Sequence, residues 1–129
     1  DLAQTQAPPV LLYGDLHHDN ILDARAGRWV AIDPKGVIGE PAYELGAFLR
    51  NPVARLGSAN LRVMTARRIA IFADTRDLDP ERIRDWALAQ AILSAWWSIE
   101  DNDTPTWIPS MVGLAELLAT LPASEIRPG

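Results

Sequence analysis

Residues 10–33 read VLLYGDLHHDNILDARAGRWVAID, and this stretch decides the fold. It opens with a short apolar run that ends at a glycine, which is typical of a buried strand. Two further apolar runs, 20–24 and 28–33, flank a turn-like tripeptide at 25–27 and predict a β-hairpin. The polar residues 15–20 are therefore expected on a loop between two strands.

Downstream of the hairpin the pattern becomes helical. Residues 34–41 contain two prolines and two glycines, which predicts a loop. Pro41 is suited to open a first helix, and Asn51-Pro52 to stop it. Asp79 and Pro80 are suited to the N-cap and the first position of a third helix.

Apolar residues at three- and four-residue steps predict which face each later helix buries. The second helix is expected to bury Leu61, Met64, Ile71 and Phe72. The third is expected to bury Ile83, Trp86, Ala89, Leu93 and Trp97, with Gln90 as a polar interruption near that face. Both tryptophans are interpreted as core residues rather than as a ligand platform. A fourth helix over about 109–121 is expected to bury Leu114, Leu117, Leu118 and Leu121. The predicted fold class is α+β, mainly helical.

Composition limits the classes of function. The 129 residues suffice for one domain with a core, and the absence of cysteine excludes disulfides and Cys-ligated metal centres. No apolar run approaches the ~20 residues of a membrane span, and the start lacks a signal-peptide pattern, so a cytoplasmic location is expected. The net charge of −5 argues against nucleic-acid binding and would suit a cationic small molecule, although many ordinary proteins are also acidic.

Three interpretations compete for the polar cluster at 15–20. A zinc site is disfavoured because His17 and His18 are adjacent, their side chains point apart, and the chain has no third histidine. A polar turn without chemistry stays open, because Asp and Asn favour turns. The third interpretation is a catalytic loop for phosphoryl transfer, which needs a carboxylate as proton acceptor and oxygen ligands for Mg²⁺. Asp15, Asn20 five residues later, and Asp33 at the end of the hairpin supply these groups.

The segments GDLHHDNIL (14–22) and AIDPKGVIGEPAYELGAFLRNP (31–52) resemble the aminoglycoside phosphotransferases, and more narrowly their streptomycin and hydroxyurea branch. The resemblance implies a kinase-like carboxy-terminal lobe over 10–121, with 1–9 as a linker or truncated boundary and 122–129 as a tail. It implies an antibiotic-resistance enzyme that uses ATP and Mg²⁺ to phosphorylate a hydroxyl of a streptomycin-like aminoglycoside, or hydroxyurea. A nucleotide-clasping amino-terminal lobe is expected to be missing, so this chain alone should be inactive and prone to self-association.

The resemblance also implies roles for individual residues. Asp15 takes the position of the catalytic base, and Asn20 and Asp33 take the magnesium positions. Lys35 stands where the kinase motif has a glycine, and it is a candidate to approach phosphate. Glu44 stands where the wider family usually has Asp, as a brace of the catalytic loop.

Other positions near the motif carry weaker expectations. Tyr13 stands where the family commonly has His, and an altered brace with one side-chain hydrogen bond is expected. His17 is a candidate to line the phosphates, whereas His18 is expected to matter little and Asp19 to be an exposed turn residue. A cationic substrate could be met by the acidic run at Glu100, Asp101 and Asp103.

Two alternatives stay open beside this function. The chain could be a kinase-like binding or regulatory module without catalysis, although the complete set of Asp15, Asn20 and Asp33 disfavours this. It could also belong to a kinase for an unrelated metabolite alcohol, because contacts spread over the helices decide the substrate.

Overall fold

The structure is a computed structural model that describes residues 1–101 and 107–127. In this part of the chain four short strands precede four α-helices, which confirms the predicted α+β, mainly helical class. The strands are β1 (Val10–Leu12), β2 (Ile21–Asp23), β3 (Trp29–Ala31) and β4 (Val37–Gly39). The helices are α1 (Leu45–Leu49), α2 (Leu61–Arg76), α3 (Pro80–Glu100) and α4 (Trp107–Ala119).

The strands form two antiparallel pairs. Strand β2 pairs with β3, with Leu22 opposite Val30, so the predicted hairpin is confirmed. Strand β1 pairs with β4, with Leu11 opposite Ile38, so the prediction of a loop throughout 34–41 is wrong. Val37 and Ile38 are strand-forming residues between the glycines, and together with Gly39 they pair with β1.

This pairing brings two distant segments to one place. Leu12, the last residue of β1, pairs with Val37, the first of β4, so 13–15 and 34–36 lie at the same end of that ladder. At the open end of the hairpin, Ile21 pairs with Ala31, and the Ile32 amide donates to the Asn20 carbonyl at 2.9 Å. The loop at 13–20 and the turn at 32–36 are therefore neighbours.

The helices build one core around α3, which packs against the other three helices. Its buried line follows four-residue steps of mostly small side chains: Ile83, Ala87, Ala91 and Ala95, with Gln90 beside them. The predicted face was wrong at Ala89, Leu93 and Trp97, which are exposed. Alanines let the neighbouring helices approach closely, so the larger side chains beside them are left outside the contact. Trp86 does pack against the core.

The other helices follow their predictions more closely. Helix α2 buries Leu61, and Met64 and Phe72 pack against the core, but Ile71 is exposed. Of the leucines predicted to be buried by α4, Leu114 and Leu118 in the helix and Leu121 just after it are fully buried, and Leu117 is partly buried. The predicted start of α3 is confirmed, because the side chain of Asp79 accepts the Glu81 amide at 3.0 Å. No helix in the described residues is long and apolar enough to cross a membrane.

Candidate active site

The main chain of Tyr13 joins the two segments of the site. Its amide donates to Glu44 Oε2 at 2.7 Å, and the next amide, of Gly14, donates to Glu44 Oε1 at 3.0 Å. Its carbonyl accepts the amides of Lys35 at 2.8 Å and Gly36 at 3.3 Å. The main chain at Tyr13 thus holds both the Glu44 carboxylate and the 34–36 turn.

Gly14 is required where the loop leaves β1. Its φ of +89° lies in the region that glycine adopts without strain. A Cβ there would lie 2.8 Å from Val37 Cγ2, so a side chain would also press on the first residue of β4. The loop therefore turns sharply between the strand and Asp15.

The loop at 15–20 is held by its own side chains. The Asn20 amide nitrogen donates to the Asp15 carbonyl at 3.1 Å and lies 3.3 Å from His17 Nε2. His17 Nε2 also lies 3.7 Å from Asp15 Oδ2, and its Nδ1 accepts the Asp19 amide at 3.3 Å. His17 is largely buried, while the Asp15 carboxylate keeps about a third of its surface exposed, 34%. Asp19 is exposed, in agreement with its prediction.

Asp33 and Lys35 form an ion pair on the opposite segment. Lys35 Nζ lies 2.8 Å from Asp33 Oδ2, and both side chains are exposed. The hydrogen bond to Asp33, together with the negative charges of Asp33 and Asp15, raises the pKa of the Lys35 ammonium. The ammonium is therefore charged and acted on by both carboxylates.

The Tyr13 side chain does not make the hydrogen bond that was expected of it. Its hydroxyl is shielded from solvent and has no hydrogen-bond partner in the described part of the chain. Burial, followed by the charge of Asp33, raises the pKa of the phenol, so it stays protonated. Tyr13 braces the site through its main chain instead.

The donor atoms suit magnesium better than a transition metal. The Asn20 amide nitrogen is engaged, which leaves its Oδ1 without a protein partner in the described residues, and the Asp33 carboxylate is exposed. Amide and carboxylate oxygens are typical Mg²⁺ ligands, and phosphates and water usually complete its shell. No group of three or more His, Cys, Asp or Glu within 1–101 and 107–127 is placed to hold a metal ion.

His18 anchors the loop to the helices, which its sequence context did not indicate. Its ring stacks on Phe48 of α1 with centroids 4.3 Å apart, and its Nε2 lies 3.4 Å from Arg68 Nη2 on α2. Burial, followed by the charges of Arg68 and Arg55, lowers the pKa of His18. A neutral imidazole therefore joins the loop to α1 and α2.

Two polar clusters beside the site were also not assigned from the sequence. Arg50 donates to Gln90 Oε1 at 2.9 Å, and Gln90 Nε2 donates to the Tyr43 carbonyl at 2.7 Å. Burial lowers the pKa of the Arg50 guanidinium, while the charges of Tyr43 and Asp15 act in the opposite direction. The sequence did carry one indication of this cluster, because Gln90 interrupts the apolar face predicted for α3.

The second cluster surrounds Glu40, a buried residue of the GEP segment. Its carboxylate accepts two hydrogen bonds from Arg82 and one from Trp86 Nε1 at 2.9 Å. Arg82 also donates to the carbonyls of Leu2 at 3.2 Å and Thr5 at 2.8 Å. These bonds join β4, α3 and the first residues of the chain, and they hold the pKa of the Glu40 carboxyl below its usual value.

The acidic run begins at the carboxy-terminal end of α3. Glu100 ends α3 and Asp101 follows it, both exposed, and Asp103 lies outside the described residues. Glu100 is ten residues beyond Gln90, which corresponds to about 15 Å along a helix. No hydrogen bond or ion pair joins Glu100 or Asp101 to the 13–20 loop in the described part of the chain.

Residues 2–102 match the family model described as aminoglycoside/hydroxyurea antibiotic resistance kinase. The chain belongs to this family. The match confirms the resemblance of the GDLHHDNIL and IDPKG segments, and it covers the 13–20 loop, the 32–36 turn and Glu44.

Proteins similar to this family member include two streptomycin kinases and a hydroxyurea enzyme. A streptomycin 6-kinase of Streptomyces griseus is 34% identical over 110 residues, covering 84% of this chain and 36% of that protein. A streptomycin 3''-kinase of Klebsiella pneumoniae is 38% identical over 94 residues, covering 70% of this chain and 35% of that protein. A hydroxyurea phosphotransferase of Kitasatospora aureofaciens is 34% identical over 120 residues, covering 91% of this chain and 33% of that protein. The chain thus spans about a third of these relatives' length, and no solved structure matches it.

Proposed function

We propose that this chain is the carboxy-terminal catalytic lobe of an ATP-dependent phosphotransferase. Its reaction transfers the γ-phosphate to a hydroxyl of a streptomycin-like aminoglycoside, or to hydroxyurea. The observation that carries the proposal is the convergence of the 13–20 loop and the 32–36 turn. The loop carries Asp15 and Asn20 and the turn carries Asp33 and Lys35, and the main-chain hydrogen bonds from Lys35 and Gly36 to Tyr13 support their proposed roles as proton acceptor, Mg²⁺ ligands and phosphate-binding lysine.

Asp15 is the proposed catalytic base. Its carboxylate is partly exposed, so an acceptor hydroxyl can reach it, and its carbonyl is fixed by Asn20. Phosphoryl transfer depends mainly on positioning and on stabilising charge, so a carboxylate on a rigid loop supplies what the reaction needs. His17 Nε2 lies 3.7 Å from the same carboxylate.

Asn20 and Asp33 are the residues that would hold Mg²⁺, which neutralises phosphate charge when it is bound. Lys35 supplies a cation for a phosphate oxygen. Glu44 acts on the site indirectly, because it fixes the amides of Tyr13 and Gly14 from which the loop departs. The printed names of the relatives support an acceptor of the streptomycin or hydroxyurea type.

The proposal includes a nucleotide-binding lobe outside this chain. The short length relative to the matched proteins supports it, as does the apolar outer face of the β1–β4 pair. Leu11 and Ile38 lie opposite each other there and are 72% and 67% exposed. We therefore expect no ATP turnover from residues 1–129 alone, and concentration-dependent self-association.

The test uses the full-length enzyme with a panel of streptomycin, hydroxyurea and unrelated alcohols, and it measures ADP release. Asp15→Asn should lower turnover by at least about 100-fold with unchanged nucleotide affinity, because it removes a proton acceptor and no metal ligand. Asp33→Asn should weaken both turnover and Mg²⁺-nucleotide binding. Asp74→Asn, an exposed residue of α2, is the matched control and should change neither.

Folding of each variant is checked by thermal unfolding. A folded Asp15→Asn enzyme with near wild-type turnover would remove Asp15 as the base. A full-length enzyme that binds nucleotide but phosphorylates nothing would instead support a binding or regulatory module.

A further inference from the structure

The Lys35 ammonium is paired with Asp33, the carboxylate proposed as a metal ligand. It lies 2.8 Å from Asp33 Oδ2, and this is the only side-chain partner of Asp33 in the described part of the chain. The Asp15 carboxylate also acts on the same ammonium. The ammonium is thus paired with Asp33 and also attracted by the charge of Asp15.

The main chain around this ion pair is fixed. The Lys35 and Gly36 amides both donate to the Tyr13 carbonyl, and Asp33 has a left-handed φ of +58°. Asp tolerates this conformation better than most residues. The backbone cannot easily move the carboxylate, whereas the four-carbon Lys35 side chain is half exposed, 48%, and can rotate away.

We infer that Lys35 is a stand-in cation that exchanges with the divalent ion. In the metal-free protein its ammonium neutralises Asp33, and on metal binding it leaves Asp33 and pairs with a phosphate of the nucleotide. This inference rests on the proposed function, because it takes Asp33 as a metal ligand. It adds that Lys35 opposes binding of the free metal ion and favours binding of the metal–phosphate complex.

Charge explains why the exchange would be useful. Mg²⁺ and the ammonium repel each other at the same carboxylate, so binding of the metal ion at Asp33 favours departure of the lysine. Breaking an exposed ion pair costs little, and a phosphate oxygen that arrives with the metal offers the ammonium a new partner. The site would therefore fill preferentially when metal and phosphate arrive together.

The test measures Mn²⁺ binding to the 129-residue chain through the EPR signal of free Mn²⁺, without and with inorganic tripolyphosphate. Lys35→Met should bind free Mn²⁺ about threefold to fivefold more tightly than the parent chain, the upper part of the range expected for one exposed ion pair. It should bind Mn²⁺–tripolyphosphate at least threefold more weakly. Lys35→Arg keeps the charge and should stay within twofold of the parent in both assays.

Arg28→Ala is the control for a general charge effect. Arg28 lies in the β2–β3 hairpin, is exposed, and its side chain forms no ion pair in the described residues. It should change neither affinity by more than 1.5-fold. Equal Mn²⁺ affinities for Lys35→Met and the parent chain, or an equal gain in Arg28→Ala, would overturn the exchange.

Asp33→Asn separates this inference from the proposed function. If Asp33→Asn abolishes Mn²⁺ binding while Lys35→Met leaves it unchanged, only the exchange is wrong. If Asp33→Asn leaves Mn²⁺ binding unchanged, the metal role of Asp33 is itself wrong. Circular dichroism of each variant confirms that the fold is retained.

Discussion

Glu44 offers the sharpest test of how the candidate loop is held. Its carboxylate accepts the Tyr13 amide at 2.7 Å and the Gly14 amide at 3.0 Å, so two partly buried main-chain donors depend on one side chain. A hydrogen bond to a charged group contributes about 1.5–3 kcal/mol, and the two bonds share one acceptor group, so their contributions do not simply add. Glu44→Ala should therefore lower the free energy of unfolding by about 3 kcal/mol.

Graded substitutions at Glu44 separate the two bonds. Glu44→Gln keeps one acceptor oxygen but turns an NH₂ group towards an N–H donor, and should cost about 2 kcal/mol. Glu44→Asp keeps both oxygens on a shorter side chain and should cost about 1 kcal/mol. Glu116→Gln, on the exposed side of α4, is the matched control and should stay within about 0.5 kcal/mol of the parent chain.

The assay is urea unfolding at pH 7, followed by tryptophan fluorescence and far-UV circular dichroism. Coincident transitions and an unchanged dependence on urea allow the midpoints to be compared as free energies. The expected order of cost is Ala, then Gln, then Asp. A Glu44→Ala variant within 0.5 kcal/mol of the control would show that water satisfies both amides, and the brace would have no energetic basis.

Two further predictions concern the polar clusters beside the site. Gly46→Ala should cost about 2–3 kcal/mol in urea unfolding, because the new Cβ would lie 2.3 Å from Gln90 Nε2 and would displace an amide that makes two hydrogen bonds. Adding Gln90→Ala removes the clash, so a double variant whose cost equals the sum of the single costs would contradict this explanation. Glu40→Gln should cost about 2 kcal/mol at pH 7, less than a fully buried ion pair because Arg82 is partly exposed. Since the pKa of Glu40 is lowered on folding, its stabilisation is present above about pH 4.5 and is lost as the pH falls through the folded value. The difference between the parent chain and Glu40→Gln should thus shrink between pH 7 and pH 3, and a constant difference would contradict the ionic contribution.

The sequence predicted the hairpin, the four helices and the family, because each depends on local signals. Turn residues mark the hairpin at 25–27, and Asp79 and Pro80 mark the start of α3. The strand β4 was missed because its pairing with β1 is non-local, and because the nearby prolines and glycines, including Gly39 within the strand, concealed the apolar pair Val37 and Ile38.

The helix faces were predicted less well for a physical reason. Large apolar residues were taken as the buried ones, but α3 buries alanines, and Leu93 and Trp97 lie outside. Close helix packing depends on small side chains as much as on hydrophobicity.

The candidate site shows the same division between local and long-range signals. The spacing of Asp15, Asn20 and Asp33 was readable in the sequence, and their chemical roles stay predictions. The contacts of His18 with Phe48 and Arg68 were not readable, because they join segments that are 30 and 50 residues apart. Nothing near His18 in the sequence distinguishes it from a solvent-exposed turn residue.

Tyr13 has a consequence for how such proteins diverge. All four hydrogen bonds between the brace, the loop and the 34–36 turn start or end on main-chain atoms of residues 13, 14, 35 and 36. The side chain at position 13 can therefore be substituted, as from the His common in the family to Tyr here, while these main-chain hydrogen bonds are retained. Proline is the exception, because it removes the amide that Glu44 accepts. Alignment scores that weigh side-chain identity will consequently understate how closely two members of the family share this junction, and a mutational library at position 13 should tolerate most residues other than proline.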